Sequence, residues 1–302
     1  MANGYRCGLL IASALLLLPA VPTRAQEGPV ATFRSSVSYV SLTAIVRDRH
    51  GRAVRALSRS DFQVRDGGES RQIVDVRSEE SAPASVALLI DGSGSMRLGG
   101  ADAASVRISS AILQRMARGR DEAALFTFDK RLITLQEFTP DFGAVQRHLK
   151  DVESWGSTSL FDAIGGTAGI VAQKTQNRRA VVVFTDGADN ASAYTADEIA
   201  AVASSIDVPV YVFALGDAKE PTSAVVRPLA ELARLTGGAY FPAGTDALIA
   251  GAIGELLDEL RHQYVLAFES APGNGWRGVQ VMTKDASFRV RTRHYYFAGG
   301  TN

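Results

Sequence analysis

The alternation of apolar and polar residues divides the chain into three parts, of which the first is rich in predicted strands. Between residues 37 and 80, stretches such as "VSLTAIVRD" (40–48) place an apolar residue at every second position, the pattern of a strand with one buried face. The run "DFQVRDGGESRQIVDVRSE" (61–79) predicts a hairpin that turns at Asp66-Gly67-Gly68. About 45 residues of strand form only a thin core, so we expect this part to need a partner.

From Val86 onward the pattern is that of an α/β domain. Four runs are continuously apolar, as strands buried on both faces of a parallel sheet are: "SVALLID", "EAALFTFD", "AVVVFTDG" and "VPVYVFALG". The run "KRLITLQEF" (130–138) follows Phe128 too closely for a crossover helix and predicts an antiparallel edge strand. Helical stretches are predicted at Ala101–Arg118, Phe142–Val152, Ser159–Lys174, Ala196–Ser205, Val225–Leu235 and Asp246–His262. The alternation predicts a doubly wound, mostly parallel sheet.

Strand patterns return after His262, in "QYVLAFES", "GVQVMTK" and "FRVRTRHYYF". We expect the two strand-rich flanks, 26–82 and 263–302, to pair into one small β-sandwich in which the α/β domain, 83–262, is inserted. Two separate β pieces are the alternative, and each of them would have a smaller core.

Two details of side-chain placement follow from this arrangement. The basic and aromatic run "RTRHYYF" (291–297) is expected to be a strand that points its arginines outward and its aromatic residues inward. Glu255, Asp258 and Glu259 are expected to lie on the solvated face of the last helix.

The first 25 residues have the features of a signal peptide. Arg6 precedes an apolar run at 8–20, and small residues at Thr23 and Ala25 suit cleavage after Ala25. A retained membrane anchor is the weaker alternative, because the run is shorter than the roughly 17–25 residues of a spanning helix. Cys7, the single cysteine, would leave with the signal. We therefore expect a secreted or periplasmic protein without disulfides and without a stable membrane span.

The charge balance argues against a nucleic-acid partner. The 302 residues include 32 Lys and Arg and 32 Asp and Glu. Loss of Arg6 and Arg24 with the predicted signal would leave 32 − 2 = 30 basic residues against 32 acidic ones. Because there is no basic excess to attract phosphates, we expect no nucleic-acid binding.

Three loops of the predicted α/β domain carry oxygen-bearing side chains. They are Asp91-Gly92-Ser93-Gly94-Ser95 and Thr185-Asp186-Gly187, each at the end of a strand, and Ser157-Thr158-Ser159, before a helix. Loops at the carboxyl ends of parallel strands meet at one edge of the sheet. Hydroxyls and carboxylates without Cys or His are ligands of Mg²⁺, Mn²⁺ or Ca²⁺ rather than zinc. Any one loop is explained as a turn or a helix cap, but the three together favour a metal site.

The same loops carry a resemblance to a known family. "DGSGSM" matches the Asp-x-Ser-x-Ser signature of the von Willebrand factor type A (VWA) domain, and "STSL" and "FTDGADN" are similar to its second and third loops. The resemblance covers roughly residues 83–262. It implies a metal-ion-dependent adhesion site in which Ser93, Ser95 and Thr158 supply hydroxyl ligands, while Asp91 and Asp186 bind the cation directly or through water. An open coordination position would then accept an Asp or Glu carboxylate of a partner protein. Ser157 stands where the family often has Gly.

The resemblance leaves two non-catalytic interpretations open. One is a secreted or periplasmic binding protein that holds Mg²⁺, or Mn²⁺ or Ca²⁺, and through it an acidic residue of another protein. Mostly neutral hydroxyls with two carboxylates leave such a cation incompletely neutralised, which favours an external anionic ligand. The other is a structural envelope module whose metal only rigidifies the loops. The flanks are also similar to the VWA-related secreted proteins of acidobacteria, which implies an architecture more than a function.

An enzyme is the less favoured interpretation. A serine hydrolase needs a base within reach of its nucleophile, but His50, His148, His262 and His294 all fall outside the three loops. The serines lack the Gly-x-Ser-x-Gly elbow, and the chain lacks a Gly-x-x-x-x-Gly-Lys phosphate loop. Two aspartates with hydroxyls would also make a weak metal-dependent hydrolytic centre. We therefore expect no catalytic residues.

Overall fold

The computed structural model describes residues 39–78, 80–152, 158–174, 178–187, 208–216 and 227–298, together with Met1, Ser192 and Glu198. Three predicted features lie outside these residues: the signal peptide at 1–25 apart from Met1, Ser157 of the second loop, and the helix at 196–205 apart from Glu198. In chain order the strands are β1 (Tyr39–Arg47), β2 (Phe62–Asp66), β3 (Glu69–Arg71), β4 (Ile73–Arg77), β5 (Ala84–Asp91), β6 (Glu122–Phe128), β7 (Leu132–Thr139), β8 (Arg178–Thr185), β9 (Val210–Ala214), β10 (Tyr240–Pro242), β11 (Tyr264–Glu269), β12 (Gly275–Thr283), β13 (Arg289–Thr292) and β14 (Tyr295–Ala298).

A mixed six-stranded sheet forms the centre of the α/β part, in the order β10-β9-β8-β5-β6-β7. Its strands are parallel except β7, which pairs antiparallel with β6 at the edge, as the short connection after Phe128 predicts. Every residue of β5 is buried. The continuous apolar runs of the sequence are therefore explained by a sheet that is covered on both faces.

Helices cover both faces of this sheet. They are α1 (Ala101–Arg115), α2 (Phe142–His148), α3 (Leu160–Ala172), α4 (Arg227–Leu235) and α5 (Asp246–Arg261). Residues of α1, α2 and α5 share one apolar core with the sheet, and residues of α3 and α4 share the core on the opposite face. Within the described ranges, no helix is both long and apolar enough to cross a membrane. The predicted doubly wound architecture is confirmed.

Two antiparallel sheets, each of four strands, form the β-sandwich, in the orders β13-β1-β11-β4 and β14-β12-β2-β3. Each sheet takes two strands from the N-terminal flank and two from the C-terminal flank. Both sheets contribute to one core, where Leu42 and Leu266 lie opposite each other in neighbouring strands and Val64 and Val281 do the same in the other sheet. The prediction of a sandwich built from both flanks is confirmed. The domain boundaries at 26–82, 83–262 and 263–302 stay predictions.

Two runs expected to be single units of the sandwich are divided between its sheets. The hairpin at Gly67 and Gly68 is present between β2 and β3, and both glycines have positive φ, as a tight turn of this kind requires. However, Ile73–Arg77 crosses to the other sheet and pairs with β11. The run "FRVRTRHYYF" likewise breaks near His294, so that β13 pairs with β1 and β14 pairs with β12. Alternation identifies a strand and its buried face, but it does not identify the sheet that the strand joins.

The two predictions of side-chain placement are each wrong in part. Tyr295 and Phe297 point outward, with Tyr296 buried between them, while Arg291 is partly buried. Glu259 is only 1% exposed, because it accepts hydrogen bonds from Arg47 of β1 at 2.8 and 3.1 Å and from Arg291 of β13. These arginines belong to the sandwich, so Glu259 is buried where the sequence alone predicts solvent, whereas Glu255 and Asp258 stay partly exposed as predicted.

Candidate metal centre

Asp91 ends β5 as a buried carboxylate that is held on both oxygens. The backbone N–H of Ser93 donates to its Oδ1 at 2.8 Å, and the hydroxyl of Thr185 donates to its Oδ2 at 2.6 Å. The parallel pairing of β5 with β8 brings Asp91 next to Thr185, since Ile90 lies opposite Phe184 one residue earlier. The sheet register therefore joins the first loop to the third.

The two serines of the first loop lie together beyond this carboxylate. The Oγ atoms of Ser93 and Ser95 are 3.0 Å apart. A 3₁₀ helix at Gly94–Gly100 begins directly after Ser93, and Met96 is buried within it, which fixes the loop to the domain core. Ser93 is buried and Ser95 is partly exposed. The loop thus brings two hydroxyls together within four residues of a buried carboxylate.

Asp186 lies beside the same carboxylate on the third loop. It follows Thr185, whose hydroxyl oxygen also accepts a hydrogen bond from the N–H of Gly187 at 3.0 Å. Gly187 has a φ of +86°, a conformation that a residue with a Cβ rarely adopts, and this lets the chain turn back onto Thr185. The negative charge of Asp186 acts on Asp91 and contributes to the raised pKa of that residue.

The second loop reaches the site through the neighbouring strand. The N–H of Ser159 donates to the carbonyl of Asp129 at 2.9 Å, and the N–H of Gly92 donates to the carbonyl of Phe128 at 2.7 Å. The first and second loops are therefore both anchored to the end of β6. Thr158, the predicted ligand, is buried at this point.

Ser159 occupies the N-cap position of α3, but its side chain makes no capping hydrogen bond. Instead, the hydroxyl oxygen of Ser192 accepts from the N–H of Phe161 at 3.0 Å. Ser192 follows the third loop in the sequence, so this contact joins the second loop to the segment after the third.

The electrostatics of Asp91 are those of a carboxylate without a counter-charge. Burial raises the pKa of Asp91 to about 6, hydrogen bonds from Thr185 and Ser93 oppose the shift, and the charge of Asp186 adds to it. In the part of the chain that the structure describes, no basic side chain forms an ion pair with Asp91. A buried carboxylate surrounded by hydroxyls, with a second carboxylate nearby, is a donor set that suits a hard divalent cation.

The site depends on hydroxyls as well as on carboxylates. Among the residues with described positions, no group of three or more His, Cys, Asp or Glu side chains is arranged to hold a metal ion. A cation at this edge would therefore need Ser and Thr ligands in addition to Asp91 and Asp186. This is the donor set that the sequence predicts.

Sequence reasoning named Thr185 as part of the third loop but missed its contact with Asp91. It also missed Ser192, which holds the start of α3. The contact of Thr185 could have been predicted from the sequence. Thr185 and Asp91 each end a buried parallel strand, and the ends of neighbouring parallel strands lie at the same edge of the sheet. For Ser192 no pattern in the sequence indicates the contact.

The structure places one histidine nearer to this edge than the sequence suggests. His148 is the last residue of α2, and its Nδ1 lies 2.8 Å from Oδ2 of Asp151. Asp151 lines a cavity of about 250 Å³ together with Gly92 of the first loop. Across the described ranges, however, no histidine nitrogen lies within hydrogen-bonding distance of the hydroxyl of Ser93 or Ser95.

Comparison with known proteins identifies the type of domain to which this sheet belongs. Residues 86–188, from β5 to just beyond β8, match the von Willebrand factor type A domain family. The chain contains a VWA domain. Domains of this family typically mediate protein–protein interaction and adhesion. No curated protein matches the chain by sequence, and the resemblance of the flanks to acidobacterial VWA-related secreted proteins stays a prediction.

One solved structure in particular shows the likeness of the fold. A von Willebrand factor type A protein from Catenulispora acidiphila is 13% identical, over 88% of this chain and 76% of that chain, with a TM-score of 0.52. BatB from Bacteroides thetaiotaomicron is 16% identical over 57% of this chain and 97% of its own, with a TM-score of 0.46. The vWF domain of the type V pili tip protein Mfa5 from Porphyromonas gingivalis is 24% identical over 36% of this chain, with a TM-score of 0.32. The match spans 39% of that Mfa5 chain.

Proposed function

We propose that the VWA domain binds one divalent cation, Mg²⁺ in the first place and Mn²⁺ or Ca²⁺ as alternatives, and through it an acidic residue of another protein. Asp91, Ser93, Ser95, Thr158 and Asp186 would hold the cation. The protein would act by binding, without catalytic residues. With its predicted signal peptide removed, it would do so in the periplasm or outside the cell.

The buried carboxylate of Asp91 carries this proposal. A lone ionised carboxylate that is removed from water and paired with no basic group is costly, and the pKa of about 6 reflects that cost. A divalent cation would offset it. Thr185 and the N–H of Ser93 each fill one position on the two carboxylate oxygens, which keeps the carboxylate oriented and leaves its remaining lone pairs for a cation.

The other residues would have distinct roles. The hydroxyls of Ser93, Ser95 and Thr158 would supply neutral oxygen ligands, and Asp186 a second negative charge. When bound, the cation would supply a positive charge and a coordination position for an anion. Because Asp186 is partly exposed, water would screen its charge, and the two carboxylates would then not fully neutralise a divalent ion. An Asp or Glu side chain of a partner protein would complete the site.

Calorimetric titration of the full chain with MgCl₂, MnCl₂ and CaCl₂ tests the metal. We expect a saturable heat with at least one cation for the wild type, and none for Asp91→Asn. Asp129→Asn is the matched control, because Asp129 lies at the same sheet edge, on the loop after β6, but outside the proposed ligand set. Circular dichroism of both variants checks the fold. Equal heats for the wild type and Asp91→Asn would contradict the proposed site.

Capture from a native envelope extract tests the partner. We expect the immobilised wild type to retain a protein in MgCl₂ and to release it in EDTA, and we expect Asp91→Asn to retain none. Amidation of the carboxyl groups of the extract with a carbodiimide and glycinamide should abolish capture, because the proposed contact is a carboxylate. If capture persists in EDTA, or is unaffected by amidation, recognition through a metal-bound acid is wrong.

A further inference from the structure

Three aromatic side chains form an exposed row on the outer face of the sandwich. Trp276 of β12 is 51% exposed, and Phe297 and Tyr295 of β14 are 52% and 39% exposed. Trp276 lies opposite Phe297 in the antiparallel pairing, and their rings meet edge to face with centroids 5.3 Å apart. Tyr295 is two residues from Phe297 and shares its face. A contiguous group of exposed apolar rings indicates a binding site, whereas single exposed apolar residues are common and need no such explanation.

A shallow cavity of about 310 Å³ continues this row across the sheet. Gly278 lies opposite Tyr295, and because Gly278 has no side chain, the outer face is open between the Tyr295 ring and the next pair, Gln280 and Arg65. A Cβ at Gly278 would stand 3.8 Å from the Tyr295 ring, which shows that the ring flanks this gap. The face therefore offers flat rings at one end and hydrogen-bonding groups at the other.

The charge of the cavity is positive. Arg65 lines it, and no acidic residue does so within the described part of the chain. His294 and Tyr295 are the other titratable residues that line the cavity. Burial, together with the charge of Arg234, lowers the pKa of His294. At neutral pH the charge of the cavity lining is therefore that of Arg65. No ion pair joins Arg65 to a carboxylate among the residues whose positions are described. An anionic group is the complementary ligand.

We propose that this outer face of the sandwich binds an acidic glycan, a chain of uronic acid residues. Sugar rings would stack on Trp276, Phe297 and Tyr295, a carboxylate would pair with Arg65, and Gln280 would hydrogen-bond ring hydroxyls. The neighbouring outward positions of β2 and β12 are polar, namely Gln63, Arg65 and Gln280. A protein docking surface would favour a broader apolar patch, and an anionic membrane would require several basic residues where this face has one unpaired arginine.

This glycan site is separate from the proposed metal centre. Its residues belong to β2, β12 and β14, whereas the metal ligands belong to loops of the central sheet. Binding of the glycan should therefore be the same in MgCl₂ and in EDTA, and it should survive Asp91→Asn. These two properties separate a failure of one proposal from a failure of the other.

Calorimetric titration of the full chain with trigalacturonic acid tests the glycan site, with the methyl-esterified trisaccharide as the neutral ligand. We expect the wild type to bind the acid more tightly than the ester. Trp276→Ala should weaken both at least tenfold, and Arg65→Gln should remove the preference for the acid. Tyr39→Ala is the matched control, because Tyr39 is an exposed aromatic residue on the other sheet, and it should leave both affinities unchanged.

Three results would overturn the proposal. One is the absence of binding to trigalacturonic acid by the wild type, with the protein folded by circular dichroism. Another is an unchanged affinity in Trp276→Ala. A third is a failure to bind the trisaccharide combined with Trp276-dependent binding of poly-glutamate or of phosphatidylglycerol vesicles. The face would then recognise another class of anion.

Discussion

The hydroxyl of Thr185 donates a 2.6 Å hydrogen bond to the buried carboxylate of Asp91, 94 residues earlier in the chain. The contact joins the ends of two neighbouring parallel strands at the edge where ligands of doubly wound sheets bind. It orients the carboxylate of Asp91 toward the serines of its own loop. Because the oxygen of Thr185 also accepts from the N–H of Gly187, one hydroxyl holds both the first and the third loop in place.

Replacement of Thr185 should therefore destabilise the protein even without metal. We expect Thr185→Val to lower the free energy of unfolding by about 1–3 kcal/mol, because a buried carboxylate loses a donor and the N–H of Gly187 loses its acceptor. Thr185→Ser keeps both hydrogen bonds and should lose less. Urea denaturation in EDTA measures the difference, and equal loss in the two variants would mean that the hydroxyl contributes no more to stability than the methyl group.

Addition of metal should raise the thermal stability of the wild type. A ligand present at 100 times its dissociation constant stabilises the native state by about 2.7 kcal/mol when it does not bind the unfolded chain. We expect a higher Tm in MgCl₂ that EDTA reverses, and no such shift in Asp91→Asn. The same upward shift in Asp91→Asn would locate the responsible metal elsewhere in the chain.

The buried glutamate of α5 should be a major connection between the sandwich and the VWA domain. Glu259→Ala removes the carboxylate that pairs with both Arg47 and Arg291, and Arg47 then keeps the more distant carboxylates of Glu255 and Asp258. We expect a loss of about 3 kcal/mol, the lower end of the range for buried pairs, because both arginines keep some contact with water. Glu255→Gln is the control: Glu255 is more exposed and lies 3.7 Å from Arg47, so its removal should cost less than about 1 kcal/mol. Similar losses in both variants, by urea denaturation, would contradict this assignment.

Asp121 should contribute to loss of stability in acid. Burial would raise the pKa of Asp121, but hydrogen bonds from Arg261 and from the N–H groups of Ala117 and Ala84 lower it overall, below the usual 3.8. Since the folded pKa is the lower one, the stabilisation is present above pH 3.8 and is lost as the pH falls through the folded value. Asp121→Asn should thus be less stable than the wild type at pH 7, and the gap should narrow toward pH 3. A gap that is independent of pH would exclude the ionised carboxylate as its cause.

Replacement of two different glycines by alanine should change the stability of the protein in opposite directions. A Cβ on Gly238 would stand 1.9 Å from the carbonyl oxygen of Val210, a backbone atom of β9, so Gly238→Ala should cost at least about 3 kcal/mol. Gly251 lies inside α5 with open space where a Cβ would be. Gly251→Ala should raise stability by up to about 1 kcal/mol, because alanine favours the helix. Thermal melts of the two variants test both signs at once.

Much of the fold follows from local sequence. The apolar runs give the parallel strands, the short connection after Phe128 gives the antiparallel edge strand, and the helical stretches agree with α1–α5 to within a few residues at most ends. These features depend on period and length alone, which neighbouring residues fix. The residues of the three loops are local in the same sense. Because strand ends of one sheet share an edge, the sequence also predicts that these loops meet.

The partners of these elements are fixed only when the whole chain folds. Glu259 has the sequence context of an exposed helix residue, and it is buried because arginines from both ends of the chain reach it. The strand at Ile73–Arg77 has the alternation of a hairpin arm, and it joins the opposite sheet. Tyr295 and Phe297 point outward because the pairing of β14 with β12 puts Tyr296 in the core instead. The elements and the chemistry of the loops can be predicted from local sequence, since both are properties of short segments. Sheet membership, the facing of a strand and the pairing of a buried charge depend on contacts between segments that are separated in the sequence, from about twenty residues to more than two hundred, and therefore only the folded chain determines them.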